Sequence, residues 1–422
     1  MRCSPTFLLT VAFLSSHYFD PRCAVSAPST ENIEEVGHRQ EWIQVPETGR
    51  SFPVDVFFPL RSDRAALLPP AEFTFYVPRP DVPGGLFNIS EAFNFHVTGS
   101  QLASAIGSDL VRATEDPDIG QGRAIVFLPG GNGPGFAYMG TAVELARRGG
   151  FVVFLATLPF APNNLSGHCL RQSDSEAIVD FISGHPEYGR LEELHGMGHS
   201  LGGQNWIARL SEAQLCNLSR ETRVQDAVLL DGTWESTSLA QTSHLQVPTL
   251  VFSQQCRFSQ MLLQIEIPSN PVRIDLEGFL ADPLTGNPIP LGSGNSVNHG
   301  VLFSQSCQLN QAIREAGGPA PPGAQGLVCQ LSETIGIERR SLAVVWDYTE
   351  AFFNHFSKGR PKRWPPGGQP EELYAHLIPE APEQSGEPGA FTNYCFNVPG
   401  QDPEAMVEVD FLLGNINIPR QF

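Results

Sequence analysis

A serine flanked by glycines is the strongest chemical signal in the chain. Residues 198–203 have the sequence GHSLGG, which contains the pattern G-x-S-x-G centred on Ser200. This pattern is typical of a tight strand-to-helix turn, which needs glycines because it forces strained dihedrals and a close approach of helix and strand. The turn places the serine hydroxyl at the N-terminus of the next helix, where developing negative charge is stabilised. The spacing therefore predicts that Ser200 is a nucleophile.

A nucleophilic serine needs a histidine base, which a carboxylate orients. The candidate acid is Asp231, which directly follows the apolar run 227–230. A carboxylate at the carboxyl end of a parallel strand lies at the edge of the sheet where such sites are built. The next apolar run, 248–252, is followed by SQQCR and so offers no acid. Asp231 is therefore preferred, with Glu235 and Asp226 as alternatives.

The candidate base is one of the histidines that follow Asp231, which are His244, His299, His355 and His376. In serine hydrolases built on this turn, the order along the chain is serine, acid, histidine. His299 is preferred because it lies in a loop after the last strand candidate, whereas His244 comes too early. His355 lies in a helical run and His376 in the irregular tail. The loop before His299 is longer than this connection usually is.

Two backbone N–H groups are needed to hold the oxyanion of a tetrahedral intermediate. One is expected from Leu201, the residue after the nucleophile. The other is expected from the glycine-rich run 128–133 (LPGGNG), which follows the first buried strand candidate. Glycines there let the backbone approach a substrate carbonyl, and Gly131 is the predicted donor.

Two other patterns lack residues that their chemistry requires. His195 and His199 are four residues apart, but they straddle a strand and a tight turn with no Glu between them, so no metal site is predicted. The glycine-rich run is not followed by Gly-Lys-Ser/Thr, and it does not form a dinucleotide-binding G-x-G-x-x-G. Neither a metal nor an organic cofactor is expected.

Apolar strand-like runs alternate with helical runs through the middle of the chain. The strand candidates are 124–128, 151–158, 194–198, 226–230, 248–252 and 272–276, and the helix candidates are 137–148, 173–183, 204–210 and 341–356. This alternation predicts an α/β fold with a mostly parallel central sheet flanked by helices. Upstream, the runs 41–45 and 51–60 flank the turn sequence PETGR and predict an N-terminal hairpin.

Two segments show no clean periodicity. Residues 61–120 are rich in Pro, Phe and Gly and are expected to form an irregular cover with short strands. The Pro- and Gly-rich residues 358–422 are expected to form an irregular C-terminal extension that wraps a catalytic domain spanning 27–357. No internal repeat is present.

The N-terminus has the pattern of a secretory signal peptide, residues 1–26. Arg2 precedes an apolar run at 7–14, and small residues follow at Ala24, Ser26 and Ala27. The alternative is a short N-terminal core helix. The apolar run is far below the ~20 residues needed to span a bilayer. No later stretch is long enough either, so no transmembrane anchor is expected.

Cysteines and sequons agree with a secretory route. Six of the eight cysteines lie beyond the predicted leader, namely Cys169, Cys216, Cys256, Cys307, Cys329 and Cys395. An even number in an exported chain predicts three disulfides, whose pairing stays open. N-glycosylation sequons occur at Asn88, Asn164 and Asn217. The formal net charge of −19 disfavours nucleic acid and anionic lipid as partners.

With these residues in hand, the chain resembles the α/β-hydrolase superfamily. It is most similar to platelet-activating-factor acetylhydrolase-like esterases, with cutinase-like hydrolases and chlorophyllases as neighbours. The resemblance spans about residues 41–357, and its motifs are LPGG at 128–131, GHSLGG at 198–203, LDG at 230–232, SVNH at 296–299 and WDYTEAFF at 346–353. The acetylhydrolase-like branch takes its acid after the strand that follows the turn, which matches Asp231. Cutinase-like members take it one strand later, where this chain has none.

The residues and the resemblance together predict a secreted serine carboxylic-ester hydrolase. It would act through an acyl-enzyme on a lipid-like or other apolar ester. A thioester or peptide hydrolase with the same triad is an alternative, because one triad serves many acyl groups. A non-catalytic binding protein on a hydrolase fold is a second alternative. It is disfavoured because the serine and the histidine are both present.

Overall fold

A computed structural model describes most of the chain from residue 33 to 253 and shorter pieces beyond it. The described residues are 33–106, 111–114, 122–162, 164–210, 216, 218–230, 247, 249–253, 272–277, 312–318, 345–346, 349–350, 352–354, 391–396, 407–412 and 415–417. Several predicted features lie outside them: the signal peptide, Asn217, Asp231, Glu235, His244, His299, His355, His376, Cys256, Cys307 and Cys329.

The first two described elements form the predicted hairpin. Strands β1 (Ile33–Val45) and β2 (Arg50–Arg61) pair antiparallel along nearly their whole length. The hairpin is longer than predicted because polar residues of β1 alternate with apolar ones, and the two strands support each other. Strand β2 is almost wholly buried.

The next segment is a cover of short elements, as predicted. These are α1 (Ser62–Ala65), β3 (Glu72–Phe73), β4 (Tyr76–Pro78), β5 (Leu86–Asn88), α2 (Ile89–Phe93), β6 (Val97–Thr98), α3 (Gly99–Ile106) and β7 (Val111–Ala113). Pairs β3–β6 and β4–β5 form separate two-stranded sheets, whereas β7 pairs with β1.

The strand–helix alternation then follows the predicted order. The elements are β8 (Arg123–Leu128), α4 (Met139–Gly149), β9 (Val152–Ala156), α5 (Leu165–Gly184), β10 (Glu193–His199), α6 (Leu201–Leu210), β11 (Val224–Leu230), β12 (Thr249–Ser253) and β13 (Val272–Glu277). Six neighbouring strands run parallel, in the spatial order β9-β8-β10-β11-β12-β13. The prediction of a mixed α/β fold with a large, mostly parallel central sheet is confirmed.

The C-terminal extension differs from the prediction of an irregular tail. Strands β14 (Phe391–Phe396), β15 (Val407–Leu412) and β16 (Asn415–Asn417) continue the sheet antiparallel beyond β13. These three strands are short and lie among many Pro and Gly residues, so the sequence pattern did not predict them.

Both faces of the sheet are covered, which explains why strands β8 and β9 are apolar along nearly their whole length. Successive residues of β8 point to opposite faces, so Ile125 and Phe127 pack with α4, whereas Val126 and Leu128 pack with α5 and α6. Residues 352–353, in the predicted helix 341–356, add Phe352 and Phe353 to the α4 side. Among the described residues, no helix is long and apolar enough to cross a membrane.

Helix α5 begins eight residues before the predicted start at residue 173. Its early turns carry mostly polar side chains, so they show no apolar stripe. They are held instead by a cap, in which Asn164 Oδ1 accepts a hydrogen bond from the Gly167 N–H at 3.0 Å. Gly167 is needed there because a Cβ would lie 1.7 Å from the Pro162 carbonyl oxygen.

One disulfide is present among the described residues, Cys169–Cys216. It joins α5 to the segment that follows α6, with a Cα–Cα distance of 5.2 Å. Disulfide bonding is therefore confirmed for one pair of the six cysteines, and the other pairs stay a prediction.

Candidate active site

Ser200 is the single residue between β10 and α6, as the glycine spacing predicts. Its φ of 52° lies in the left-handed region, and only one other non-glycine residue of the described chain, Asn94, has a positive φ. A strained residue of this kind persists only where its surroundings hold it, and such residues cluster at functional sites. Here the Ser200 N–H donates to the Leu230 carbonyl at 2.9 Å, and its own carbonyl accepts from the Gln204 N–H at 3.0 Å. The serine is thus held by β11 on one side and by α6 on the other.

The two glycines of G-x-S-x-G are required by close backbone packing. A Cβ on Gly198 would lie 2.5 Å from the Gly202 carbonyl group, and a Cβ on Gly202 would lie 2.2 Å from the Leu128 carbonyl oxygen. These neighbours are backbone atoms, which cannot move aside as a side chain would. Helix α6 can therefore lie against the ends of β10 and β8 only with glycine at both positions.

Gly202→Ala is expected to lower the free energy of unfolding by about 3 kcal/mol or more, because it overpacks backbone against backbone. Equilibrium urea unfolding measures the change. Gly184→Ala is the matched control, because a Cβ at Gly184, the last residue of α5, meets nothing within 4 Å. That control is expected to stay within about 1 kcal/mol of the unsubstituted chain. Equal stability of the two variants would contradict the packing argument.

The glycine-rich loop after β8 lies directly against the serine turn. A Cβ on Gly130 would lie 2.9 Å from Ser200 Cβ and 2.6 Å from His199 Nδ1. The loop folds back on itself, with the Gly133 N–H donating to the Gly130 carbonyl at 2.7 Å, and Gly131 has a left-handed φ of 53°. The structure thus places Gly130, the residue before the predicted donor Gly131, against Ser200, while Leu201 begins α6 directly after the serine.

Tyr138 connects this loop to the serine turn, and sequence analysis missed it. Its Oη lies 2.6 Å from His199 Nδ1 and accepts a hydrogen bond from the Gly130 N–H at 3.2 Å. The Gly130 N–H is thereby occupied, and Gly131 is the next donor along the loop. Burial raises the pKa of the Tyr138 phenol, so the hydroxyl stays protonated. The only signal in the sequence was a tyrosine at the start of an apolar helix, which usually indicates core packing.

Asn132 fixes the far side of the loop. Its Oδ1 accepts from the Ala161 N–H at 2.9 Å, and its Nδ2 donates to the Ala161 carbonyl at 3.1 Å. Arg171 of α5 also donates to Asn132 Oδ1, at 3.2 Å. Behind it, Arg50 lies 2.9 Å from the fully buried Asp174, and burial raises the pKa of that carboxyl to about 7. The loop is therefore tied to α5 and to the segment between β9 and α5 by residues far apart in sequence.

Asp226, an alternative acid, belongs to a different place in the sheet. Its Oδ1 lies 2.7 Å from His195 Nδ1, both side chains are fully buried, and His195 stacks on Phe353. His195 pairs with Asp226 in the sheet register, whereas His199 pairs with Leu230, four residues further along. Four strand residues span about 13 Å, so Asp226 lies well away from the serine turn.

Asp231 and His299 lie outside the described residues, so their positions relative to Ser200 stay predictions. The described residue next to Asp231 is informative, however. Leu230 ends β11 and accepts the hydrogen bond from the Ser200 N–H. The described part of β11 therefore ends at the serine turn.

The remaining predicted sites are distributed over the surface and the core. Asn164 is exposed and caps α5, and Asn88 is half-buried and caps α2 through a hydrogen bond from the Glu91 N–H at 3.0 Å. Within the described part of the chain, no group of three or more His, Cys, Asp or Glu side chains is arranged to hold a metal ion. His195 and His199 instead contact Asp226 and Tyr138, respectively.

A comparison with protein-family models finds no match for the chain, and a comparison with curated protein sequences finds none either.

Proposed function

We propose that the chain is a serine hydrolase of the α/β-hydrolase type that cleaves carboxylic esters. The observation that carries the proposal is the left-handed Ser200, held between a parallel strand and a helix with a glycine-rich loop against it. This is the arrangement that exposes a nucleophilic serine at the carboxyl edge of a parallel sheet.

In the proposed reaction, His299 takes the proton of the Ser200 hydroxyl while Oγ attacks the ester carbonyl carbon. The carbonyl oxygen gains negative charge, and the N–H groups of Leu201 and Gly131 donate to it. Asp231 orients the His299 ring and stabilises its protonated form. His299 then protonates the departing alcohol, which leaves an acyl-enzyme. Water, deprotonated by His299, attacks this ester and releases the acid and the free serine.

The substrate class and the location are proposed from charge, resemblance and disulfide bonding. A net charge of −19 disfavours strongly anionic substrates. The resemblance to acetylhydrolase-like esterases favours a lipid-like or other apolar ester. The Cys169–Cys216 disulfide supports an oxidising compartment, since disulfides persist on the secretory route and are rare in the cytosol. We propose a secreted enzyme on these grounds, in agreement with the predicted signal peptide.

Labelling with a fluorophosphonate tests the proposal, because this reagent reacts only with an activated serine. We expect one label per chain, mapped to Ser200 by peptide mass spectrometry. His299→Ala is expected to abolish labelling, because without its base the hydroxyl stays protonated. Ser183→Ala, which removes an exposed hydroxyl bonded within α5, should label normally. A folded protein that takes no label, or takes it elsewhere, would contradict the proposal.

A substrate panel then separates the acyl-transfer alternatives. p-Nitrophenyl esters of increasing chain length, a matched thioester and a matched anilide are compared by kcat/KM. We expect the esters to be preferred. If the thioester or the anilide were preferred, Ser200 would remain the proposed nucleophile, and the proposed substrate would change from an ester to a thioester or an amide.

A further inference from the structure

The Tyr138 hydroxyl lies between the two backbone segments that form the proposed site. It accepts from the Gly130 N–H at 3.2 Å on the loop side and lies 2.6 Å from His199 Nδ1 on the turn side. Gly130 immediately precedes the predicted oxyanion donor Gly131, and His199 immediately precedes Ser200. Each contact is thus one residue away from a proposed reacting group.

The Tyr138 phenol can bond both backbone segments at once. A tyrosine hydroxyl has one proton to donate, and its oxygen also accepts hydrogen bonds. It accepts from the Gly130 N–H and forms a second hydrogen bond with His199 Nδ1. Tyr138 therefore connects the loop and the turn through two hydrogen bonds.

The ring of Tyr138 gives the hydroxyl a fixed position. It is 5% exposed and packs edge-on against Phe127 of β8, with ring centroids 5.1 Å apart. Strand β8 leads directly into the loop, so the ring is anchored to the same element that delivers Gly131. The hydroxyl can then set how far the loop stands from the serine turn.

We propose that Tyr138 is a positioning residue that sets the distance between the Gly131 N–H and the Ser200 hydroxyl. This inference rests on the proposed function and goes beyond it, because Tyr138 touches neither substrate nor reacting atoms. An oxyanion donor contributes through its distance to the charge that develops in the transition state. Loss of the bridge therefore weakens transition-state stabilisation and leaves ground-state binding nearly unchanged.

Tyr138→Phe tests this inference, because it removes the hydroxyl and keeps the ring. We expect kcat to fall roughly 10- to 100-fold with KM changed less than about threefold, since a misplaced catalytic group costs up to about 10²-fold. We also expect the affinity for a trifluoromethyl ketone, which forms a tetrahedral adduct with the serine, to fall in proportion to kcat/KM.

Tyr188→Phe is the matched control. Tyr188 is also buried, and its hydroxyl forms hydrogen bonds with Arg39 and Glu41. It precedes β10 in the chain, whereas Ser200 follows the other end of that strand. The Tyr188→Phe variant should have lower stability and an unchanged kcat.

A Tyr138→Phe variant that labels and turns over like wild type would overturn the positioning role and leave the proposed function standing. An equal loss of kcat in both variants would also overturn it, because the effect would then be general destabilisation. Wild type that neither labels nor turns over esters would instead refute the proposed function.

Discussion

Ser200→Ala is expected to lower ester turnover by roughly 10⁴- to 10⁶-fold, the range seen when a triad serine is removed. The substitution deletes only the hydroxyl oxygen. The backbone hydrogen bonds to Leu230 and Gln204 stay, and alanine meets the same left-handed φ as serine. The loss should therefore appear in kcat for a p-nitrophenyl ester, whereas circular dichroism and the melting temperature should stay close to those of the wild type.

Ser175→Ala provides the control for loss of a buried hydroxyl. Ser175 is 1% exposed, and its Oγ donates within α5 to the Gln172 carbonyl at 2.8 Å. Its removal should change stability slightly and turnover hardly at all. If Ser200→Ala kept turnover within tenfold of the wild type while folded, the nucleophile would have to be another group.

Asp231→Asn is expected to lower kcat/KM by roughly 10⁴-fold, because an amide in place of the carboxylate favours the wrong histidine tautomer. The structural reason for choosing position 231 is its neighbour. Leu230, the residue before it in the sequence, ends β11 and accepts the Ser200 N–H at 2.9 Å, so the described part of β11 ends beside the nucleophile. Steady-state kinetics on the same ester measures the effect.

Glu235→Gln is the control for removal of a nearby carboxylate, and it should cost little activity. Asp226→Asn should act on stability rather than on the chemical step, because Asp226 is paired with His195 inside the sheet. A reversed outcome, with Glu235→Gln inactive and Asp231→Asn active, would reassign the acid to Glu235.

The local parts of this site could be predicted from the sequence, and the long-range parts could not. Only glycine fits at position 198, against the helix backbone, and at position 202, against the Leu128 carbonyl. The turn therefore requires a fixed spacing of glycines around the serine, and this spacing can be recognised in the sequence. The contact of Tyr138 with His199 joins residues 61 positions apart. Nothing in the local pattern of either residue indicates the other.

The same distinction holds for the fold. Strands β8, β9 and β11 are buried almost completely, so their apolar runs predicted them well. Helix α5 begins earlier than its apolar pattern because Asn164 caps it and because its first turns contact the loop through Arg171, 39 residues from Asn132. Strands β14 to β16 are short and lie among Pro and Gly residues, so their sequence favoured an irregular tail. Pairing with a sheet edge is not encoded in local periodicity.

The Cys169–Cys216 bond closes a covalent ring of the chain with a sequence separation of 47, and Ser200 lies inside that ring. Strand β10, the glycine turn and α6 are all contained in it. Closing a loop of this length removes about 4 kcal/mol of chain entropy from the unfolded state by the loop-closure relation. The ring also has a consequence for proteolysis. A protease that cuts once between the two cysteines cannot separate the nucleophile from the rest of the chain, because both pieces stay joined through sulfur. Such a nicked protein would run as one band on a non-reducing gel and as two after reduction.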